Sequence, residues 1–401
     1  MQQGNLLNWV EISRRALAQN VLRFKTHIGA GVKLAAVVKA NAYGHGLGAV
    51  SRIVLESGAD WLAVNSIEEA EQVRAAGIAA PVLCLGYVPL SQLEKAVRLD
   101  VRLTVYNPAT VERLGEVAGR LGRKARLHVK VETGTNRQGV PREELPDFAR
   151  MIAGYPHLVL EGLSTHYANI EDVTEHRFAE LQLRNFIEAC SMLESRGFSV
   201  PVRHTACTAA AILFPRTLFN MARVGIGLYG LWPSKETRIS ALQAGVALNE
   251  LEPVLTWKTR IAQVKMVKSG ETIGYGCTDL ATQDTRLAVL PVGYYDGYDR
   301  KLSSIGYVLI RGRRAPVRGR VCMNMIMVDV TNIPEARVED EVVLLGRQGD
   351  DSVSAEVLAG KIGTINYEVV TGILPRVTRV YLRGGQAVEV KLLVEVESDK
   401  S

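Results

Sequence analysis

The chain has 401 residues, 47% hydrophobic and 22% charged, with a formal net charge of +6. That length accommodates about two domains of ordinary soluble composition. No apolar run reaches membrane-spanning length, and the densest basic patch, Arg311–Arg320, is broken by glycine and proline, so neither membrane insertion nor nucleic-acid binding is indicated.

Taken in chain order, the first pattern is a leader-free start. Met1–Trp9 lacks a basic segment followed by an apolar core, so a cytoplasmic location is expected. The five cysteines, at 84, 190, 207, 277 and 322, are dispersed without metal-ligand spacing and read as reduced thiols. Short apolar runs then alternate with helical patterns. The predicted strands are Leu34–Lys39, Trp61–Ser66, Pro81–Gly86, Arg102–Tyr106, Arg126–Glu132, Leu158–His166, Val202–Cys207 and Ala222–Tyr229. Between them lie amphipathic segments such as Ser66–Ala76, which opens with a serine cap and acidic first turn, and Thr174–Arg196. Eight such units imply a (β/α)8 barrel of the TIM type over residues 1–245. Beyond it, Leu255–Val267, Leu287–Val292, Val308–Arg311 and Val342–Leu345 alternate or are β-branched. They define a mostly β C-terminal domain over 246–401, with one clear helix at Ser354–Ile362 and a tail expected to be loose from about residue 385.

Active sites of such barrels form at the C-terminal ends of the strands, and unusual polar residues fall there. Lys39 closes the first predicted strand and precedes Gly44 and Gly46. A lysine so placed is costly when buried and charged. It is either a snorkelling surface residue or an amine able to form an imine with pyridoxal 5'-phosphate. His166, Thr208 and Arg223 fall at or near the sixth, seventh and eighth strands, and Arg137 follows the fifth. Each alone has a structural reading, as half-buried histidine, solvated turn or helix cap; their convergence favours a shared site. Thr208 at a helix start, the Gly225-Ile226 turn and the Tyr43 phenol could together cradle one phosphate, and no nucleotide-binding loop is present.

With these residues assembled, the chain resembles the alanine racemase family over roughly residues 8–382. The motifs that carry the resemblance, in order, are Val37-Val-Lys-Ala-Asn-Ala-Tyr-Gly-His-Gly46, Arg223-Val-Gly-Ile-Gly-Leu-Tyr-Gly230, Pro291-Val-Gly-Tyr-Tyr-Asp-Gly-Tyr298, Gly319-Arg-Val-Cys-Met-Asn324 and Thr364-Ile-Asn-Tyr-Glu368. The resemblance implies a barrel plus β domain, with the first strand near 9–12 joining that second domain, and a homodimer with shared active sites. It implies an L/D-alanine racemase that uses pyridoxal 5'-phosphate and no metal, and that supplies D-alanine for peptidoglycan. Lys39 would hold the cofactor and serve as one base. Tyr275 of the partner subunit would be the other. Tyr43, Thr208, Gly225, Ile226 and Tyr367 would hold the phosphate, Arg223 the pyridine nitrogen, and His166 would flank the ring. Arg137 and the Met323 amide would meet the substrate carboxylate, Tyr294 and Tyr298 would line the entrance, and Lys130 would be carbamylated. The chain departs from the family pattern at Cys207-Thr208, Asn324 and Thr135. Asn324 in particular keeps a broader racemase, acting on serine or on lysine and arginine, as the alternative.

Overall fold

The fold was described from a computed structural model, which covers residues 6–171, 173–246, 248 and 251–391. Its chain divides into two units: Leu17–Ala42 with Leu47–Glu252, and the segments to Ala16, Tyr43–Gly46 and from Pro253 onward.

All eight predicted barrel strands are present in the first of these units. Numbering the N-terminal strand Asn8–Ser13 as β1, they are β2 (Lys33–Val37), β3 (Trp61–Val64), β4 (Val82–Cys84), β5 (Val101–Val105), β6 (Ala125–Lys130), β7 (Leu158–Ser164), β8 (Val202–His204) and β9 (Met221–Val224). They pair in parallel in the order β8-β7-β6-β5-β4-β3-β2-β9, and across the remaining seam the Arg223 N–H donates to the Ala206 carbonyl at 3.0 Å. Helices follow the strands as the periodicity dictates. Ile67–Ala75 starts where the Ser66 side chain accepts the Glu69 N–H, and its first turn holds Glu68 and Glu69, which complement the helix dipole. Ala35, Trp61, Leu83, Val202 and Met221 form an apolar cluster inside the strands.

The strands stop earlier than predicted, for an identifiable reason. β2 ends at Val37, and Lys39 opens a turn in which Ala40, Asn41, Ala42 and Tyr43 all have φ between 52° and 54°. Four consecutive non-glycine residues in the left-handed region cost about 1–2 kcal/mol each. The Glu69 carboxylate accepts the Ala40 N–H at 2.6 Å, and the Asn41 side chain accepts the Leu47 N–H at 2.9 Å. His166 likewise lies beyond β7, and Cys207, not Thr208, is the cap of the helix Thr208–Leu213.

The second unit is built on an eleven-stranded sheet that includes β1, paired antiparallel with Leu255–Arg260 and parallel with Thr378–Arg383. The expected helix is present as Ala355–Ile362, capped by Ser354, and a second helix, Asn366–Thr371, joins it. The tail does not loosen at residue 385. Gln386–Lys391 pairs with Thr378–Arg383, and the rest of that predicted tail lies outside the described residues.

Arg379 is the unusual core residue of this unit, with no exposed surface. Its Nε and Nη2 donate to Gly44 O, Nη2 also to Ile373 O, and Nη1 to Leu374 O and Val377 O, at 2.5–3.0 Å. All five N–H groups are therefore bonded to carbonyls, the only economical way to bury a guanidinium without an anion. Tyr381 donates to the His45 carbonyl at 2.9 Å, so one strand grips the Tyr43–Gly46 segment twice. Gly44 has to be glycine. Its φ is +82°, and a Cβ would sit 2.3 Å from the Val370 carbonyl oxygen.

Arg379→Met keeps the chain length and leaves four buried carbonyls without their donor. Unfolding free energy is expected to fall by about 3 kcal/mol or more, measured by urea denaturation, with Arg379→Lys recovering part of the loss.

Candidate active site

The polar residues at the barrel mouth are held by the ends of its strands. Lys39 is half-buried, and its amine is pushed below the usual lysine range by burial first and by the Arg137 charge second; Glu69 works in the opposite direction. Lys130, the last residue of β6, is buried, and its pKa is lowered to about 8, chiefly by burial and then by Arg223, Arg137 and Lys39, against Glu132. Its Nζ donates to Gln138 Oε1 at 3.3 Å, and Gln138 Nε2 donates to the Tyr106 hydroxyl at 3.0 Å. His166 is held far below its ordinary pKa by burial and by Arg223, Lys130, Arg137 and Lys39 together, so it stays neutral at pH 7. Arg137 is exposed on the Thr133–Gly139 loop. The sequence-predicted barrel residues thus form one electrostatically coupled group.

Arg223 sits at the floor of this group. Its Nη1 donates to His204 Nδ1 and to the His204 carbonyl, at 2.6 and 2.7 Å, and its Nη2 donates to Thr165 O and Thr205 O, at 2.9 and 3.0 Å. Nε is the one N–H of the guanidinium without an acceptor among the described residues. Burial lowers the Arg223 pKa to about 10, which still leaves it fully cationic at neutral pH.

Thr208 is buried, and its Oγ1 accepts the Gly225 N–H at 3.0 Å. Gly225 therefore spends its amide inside the protein, contrary to its expected part as a free phosphate donor. The hydroxyl hydrogen of Thr208 and the amide of Ile226, first residue of the 3-10 turn Ile226–Tyr229, remain as donors at this turn.

In the second unit, three motifs far apart in sequence converge. Gly276 packs so closely on Arg320 that a Cβ would lie 2.7 Å from Nη1, and Gly319 similarly abuts the Ile273 carbonyl at 2.5 Å. The Tyr294 and Tyr295 amides donate to the Cys322 and Met323 carbonyls at 3.1 and 2.9 Å. This docking presents Tyr275, 72% exposed, on the same loop cluster as Met323, 54% exposed, and Tyr294. Tyr298 is a correction. It is buried against Trp257, its hydroxyl has no partner among the described residues, and burial raises its pKa, so it is a core residue, while Tyr295 is the exposed tyrosine beside Tyr294. Tyr43 and Tyr367, both in this unit, have ring centroids 6.2 Å apart.

Sequence reasoning missed His128, His204 and Glu161, which lead away from Arg223 inside the barrel, and Arg379. Histidines recurring inside apolar strand runs, and an arginine in Thr378-Arg-Val-Tyr-Leu, were the available signals.

Comparison with known proteins bears on what this site does. Residues 12–233 match the family model for the alanine racemase N-terminal domain, and residues 254–381 match that for the alanine racemase C-terminal domain. The alanine racemase of Leptospira interrogans is 38% identical over 375 residues, covering 93% of this chain and 95% of that protein. That of Syntrophobacter fumaroxidans is 43% identical over 366 residues, covering 91% and 95%. Among solved structures, alanine racemase from Bacillus anthracis with bound L-Ala-P superposes with a TM-score of 0.90 at 37% identity, covering 96% of this chain and 98% of that one. The Clostridium difficile 630 alanine racemase complex with cycloserine gives 0.88 at 32% identity, covering 97% and 99%.

The depressed Lys130 pKa has a measurable consequence. Between about pH 8 and the ordinary lysine value near 10.4, the unfolded chain holds a proton that the folded chain has released. Stability contributed through this residue is therefore expected to rise with pH across that window, by at most about 1.4 kcal/mol per pH unit. Urea titrations in carbon-dioxide-free buffer check this, and Lys130→Met should flatten the slope.

Proposed function

The chain belongs to the alanine racemase family, and on that premise we propose that it interconverts L- and D-alanine with pyridoxal 5'-phosphate as its cofactor. The observation that carries the reading is the barrel mouth itself: an amine, Lys39, held toward its neutral form just beyond β2, and on the paired strand β9 a guanidinium, Arg223, whose Nε alone has no acceptor among the described residues.

The residues present fit the cofactor. A phosphate suits the Ile226 amide turn and the Thr208 hydroxyl, with the Tyr43 and Tyr367 phenols as further donors. A pyridine nitrogen suits Arg223 Nε, and an aldehyde suits the Lys39 amine. When bound, the cofactor supplies a carbonyl that condenses with amino groups and a ring that withdraws electron density from the substrate Cα.

The protein supplies everything else. Arg137 and the amide of the partner subunit's Met323, which shares a loop cluster with Tyr275, hold the substrate carboxylate, which fixes Cα between two faces. Lys39 Nζ takes or returns the Cα proton on one face. Its lowered pKa raises the share of free amine that can accept a proton. The Tyr275 phenol of the partner subunit does the same on the other face, which accounts for its exposure within a single chain. His166 is neutral, so it assists the phenol by hydrogen bonding and not as a counter-charge. Arg223 is cationic and does not give up a proton, so it leaves the ring nitrogen unprotonated; less charge collects on the ring, and protonation there, the route to transamination, is suppressed.

Lys130 completes the set. As a neutral amine it attacks carbon dioxide, forming an N–C bond and losing one proton, and becomes a carbamate. That anion replaces a cation beside Arg137 and removes a like-charge conflict. The chain then acts as a homodimer in the cytoplasm, and the product supplies the D-alanine of peptidoglycan. Alanine is preferred to serine, lysine or arginine because the relatives matched across nearly the full chain are named alanine racemases. Tyr294 and Tyr295 line the approach.

Chiral analysis of the cofactor-loaded protein with L-alanine, L-serine and L-lysine in parallel tests the reading. Alanine should turn over fastest and reach an equal mixture of enantiomers; faster turnover of lysine, or release of carbon dioxide, overturns it. Tyr275→Phe should lower racemisation at least about 100-fold. Mixing Tyr275→Phe with Lys39→Ala subunits should restore about a quarter of wild-type activity, since half of randomly reassorted dimers hold one intact site of two. Carbon-13 bicarbonate should give a carbamate resonance that Lys130→Met abolishes.

A further inference from the structure

Inside the barrel a continuous hydrogen-bonded row leaves Arg223 in the direction opposite to Nε. Arg223 Nη1 meets His204 Nδ1 at 2.6 Å, His204 Nε2 meets His128 Nδ1 at 2.7 Å, and His128 Nε2 meets Glu161 Oε2 at 3.1 Å. Both histidines are fully buried and Glu161 is half-buried.

The proton positions in this row follow by elimination. A guanidinium can only donate, so His204 Nδ1 accepts. A neutral imidazole that accepts at one nitrogen carries its proton on the other, so His204 Nε2 donates to His128 Nδ1. By the same step His128 Nε2 donates, and only an acceptor can lie beyond it. That acceptor is Glu161. A row with a donor at each end would leave two N–H groups facing each other, so the carboxylate at the far end is what lets the tautomers required by the guanidinium be met without a buried N–H left unpaired.

The backbone is shaped to make this row. The β6–β7 register runs Leu127 with Leu160 and then His128 with Gly162, so Glu161 is an extra residue in a β-bulge. Bulges re-aim side chains, and this one places a carboxylate against His128. Opposite His128, Gly162 has no side chain; a Cβ there would lie 2.2 Å from Nδ1, the atom that receives the His204 proton. Beyond Glu161, Arg102 and Arg126 lie 3.4 and 3.6 Å from its oxygens, and both also pair with Asp100. Burial opposes ionisation of Glu161, but its bond to His128 and these two guanidiniums hold its pKa below the usual carboxylate range.

We propose that Glu161 is a remote positioning residue for the active site: through His128 and His204 it fixes the one tautomeric arrangement in which Arg223 is anchored by Nη1 and presents Nε to the cofactor ring. The inference rests on the proposed function for what Nε meets, but not for the row itself. Glu161→Met removes the acceptor at similar size. Glu161→Gln removes the charge and keeps an amide oxygen able to accept from His128. Gly162→Ala pushes on His128 without replacing any titratable side chain.

The test is two-bond proton–nitrogen NMR of the cofactor-loaded enzyme labelled at histidine, read with visible absorbance and steady-state kinetics. In wild type, His204 and His128 should both show the neutral Nε2–H pattern. In Glu161→Met and Gly162→Ala that pattern should be lost for at least one of them, the cofactor absorbance should shift, and kcat should fall at least tenfold with KM changed less than threefold. Glu161→Gln should keep both tautomers and most of kcat. Unaltered tautomers and absorbance in Glu161→Met, with only a lower melting temperature, overturn the proposal and leave Glu161 structural. If wild type racemises no amino acid, the proposed function fails, and the tautomer patterns still decide the row.

Discussion

Burial of cationic groups at the barrel mouth, sharpened by their like charges, is the constraint on which the rest depends. Lys39, Lys130, Arg137 and Arg223 act on one another within a low-dielectric setting, and the carboxylates that oppose them, Glu69 and Glu132, do not cancel the excess. Every group there adjusts by giving up protons where it can. The two lysines move toward neutral amines and His166 stays neutral, while the guanidiniums stay cationic because they have no accessible neutral form. A mouth so arranged attracts anions, and both a phosphate and an amino-acid carboxylate relieve it. The lowered Lys39 pKa and the uncancelled positive charge of the mouth are thus two results of one electrostatic arrangement.

The second unit answers a different problem. Its loops are rich in exposed side chains, Tyr275, Tyr294, Tyr295 and Met323 among them, yet backbone packs on backbone so closely that glycines 293 and 319 have no room for a Cβ. Rigid backbone under exposed side chains suits groups that act on something outside their own chain. A flexible loop would lose positional accuracy each time such a group was used.

Much of this was legible in the sequence because it is local. Eight strands showed as eight apolar runs, the Ser66 cap showed as a cap, and two of the ordered motifs contain Lys39 and Arg223. What escaped depends on tertiary context. The left-handed turn after Lys39 contains no glycine until Gly44, so its conformation is imposed by Glu69 and Asn41 rather than by propensity. Tyr298 looks like Tyr294 in a tyrosine-rich motif, and only packing against Trp257 separates a core ring from a surface one. Arg379 and the His128–His204 pair are polar residues in strands whose partners lie far away in sequence, 76 positions for the pair and 335 for Arg379 and Gly44. No periodicity encodes a partner at that distance.

The span between Arg379 and Gly44 also sets an order of events in synthesis. A ribosome releases Gly44 335 residues before Arg379, and domains fold as they emerge. Until the strand Thr378–Arg383 is available, the Gly44 and His45 carbonyls lack the three side-chain hydrogen bonds that Arg379 and Tyr381 donate to them. These carbonyls are therefore made long before their donors, and the segment that follows Lys39 in sequence waits on a distant strand for its hydrogen bonds.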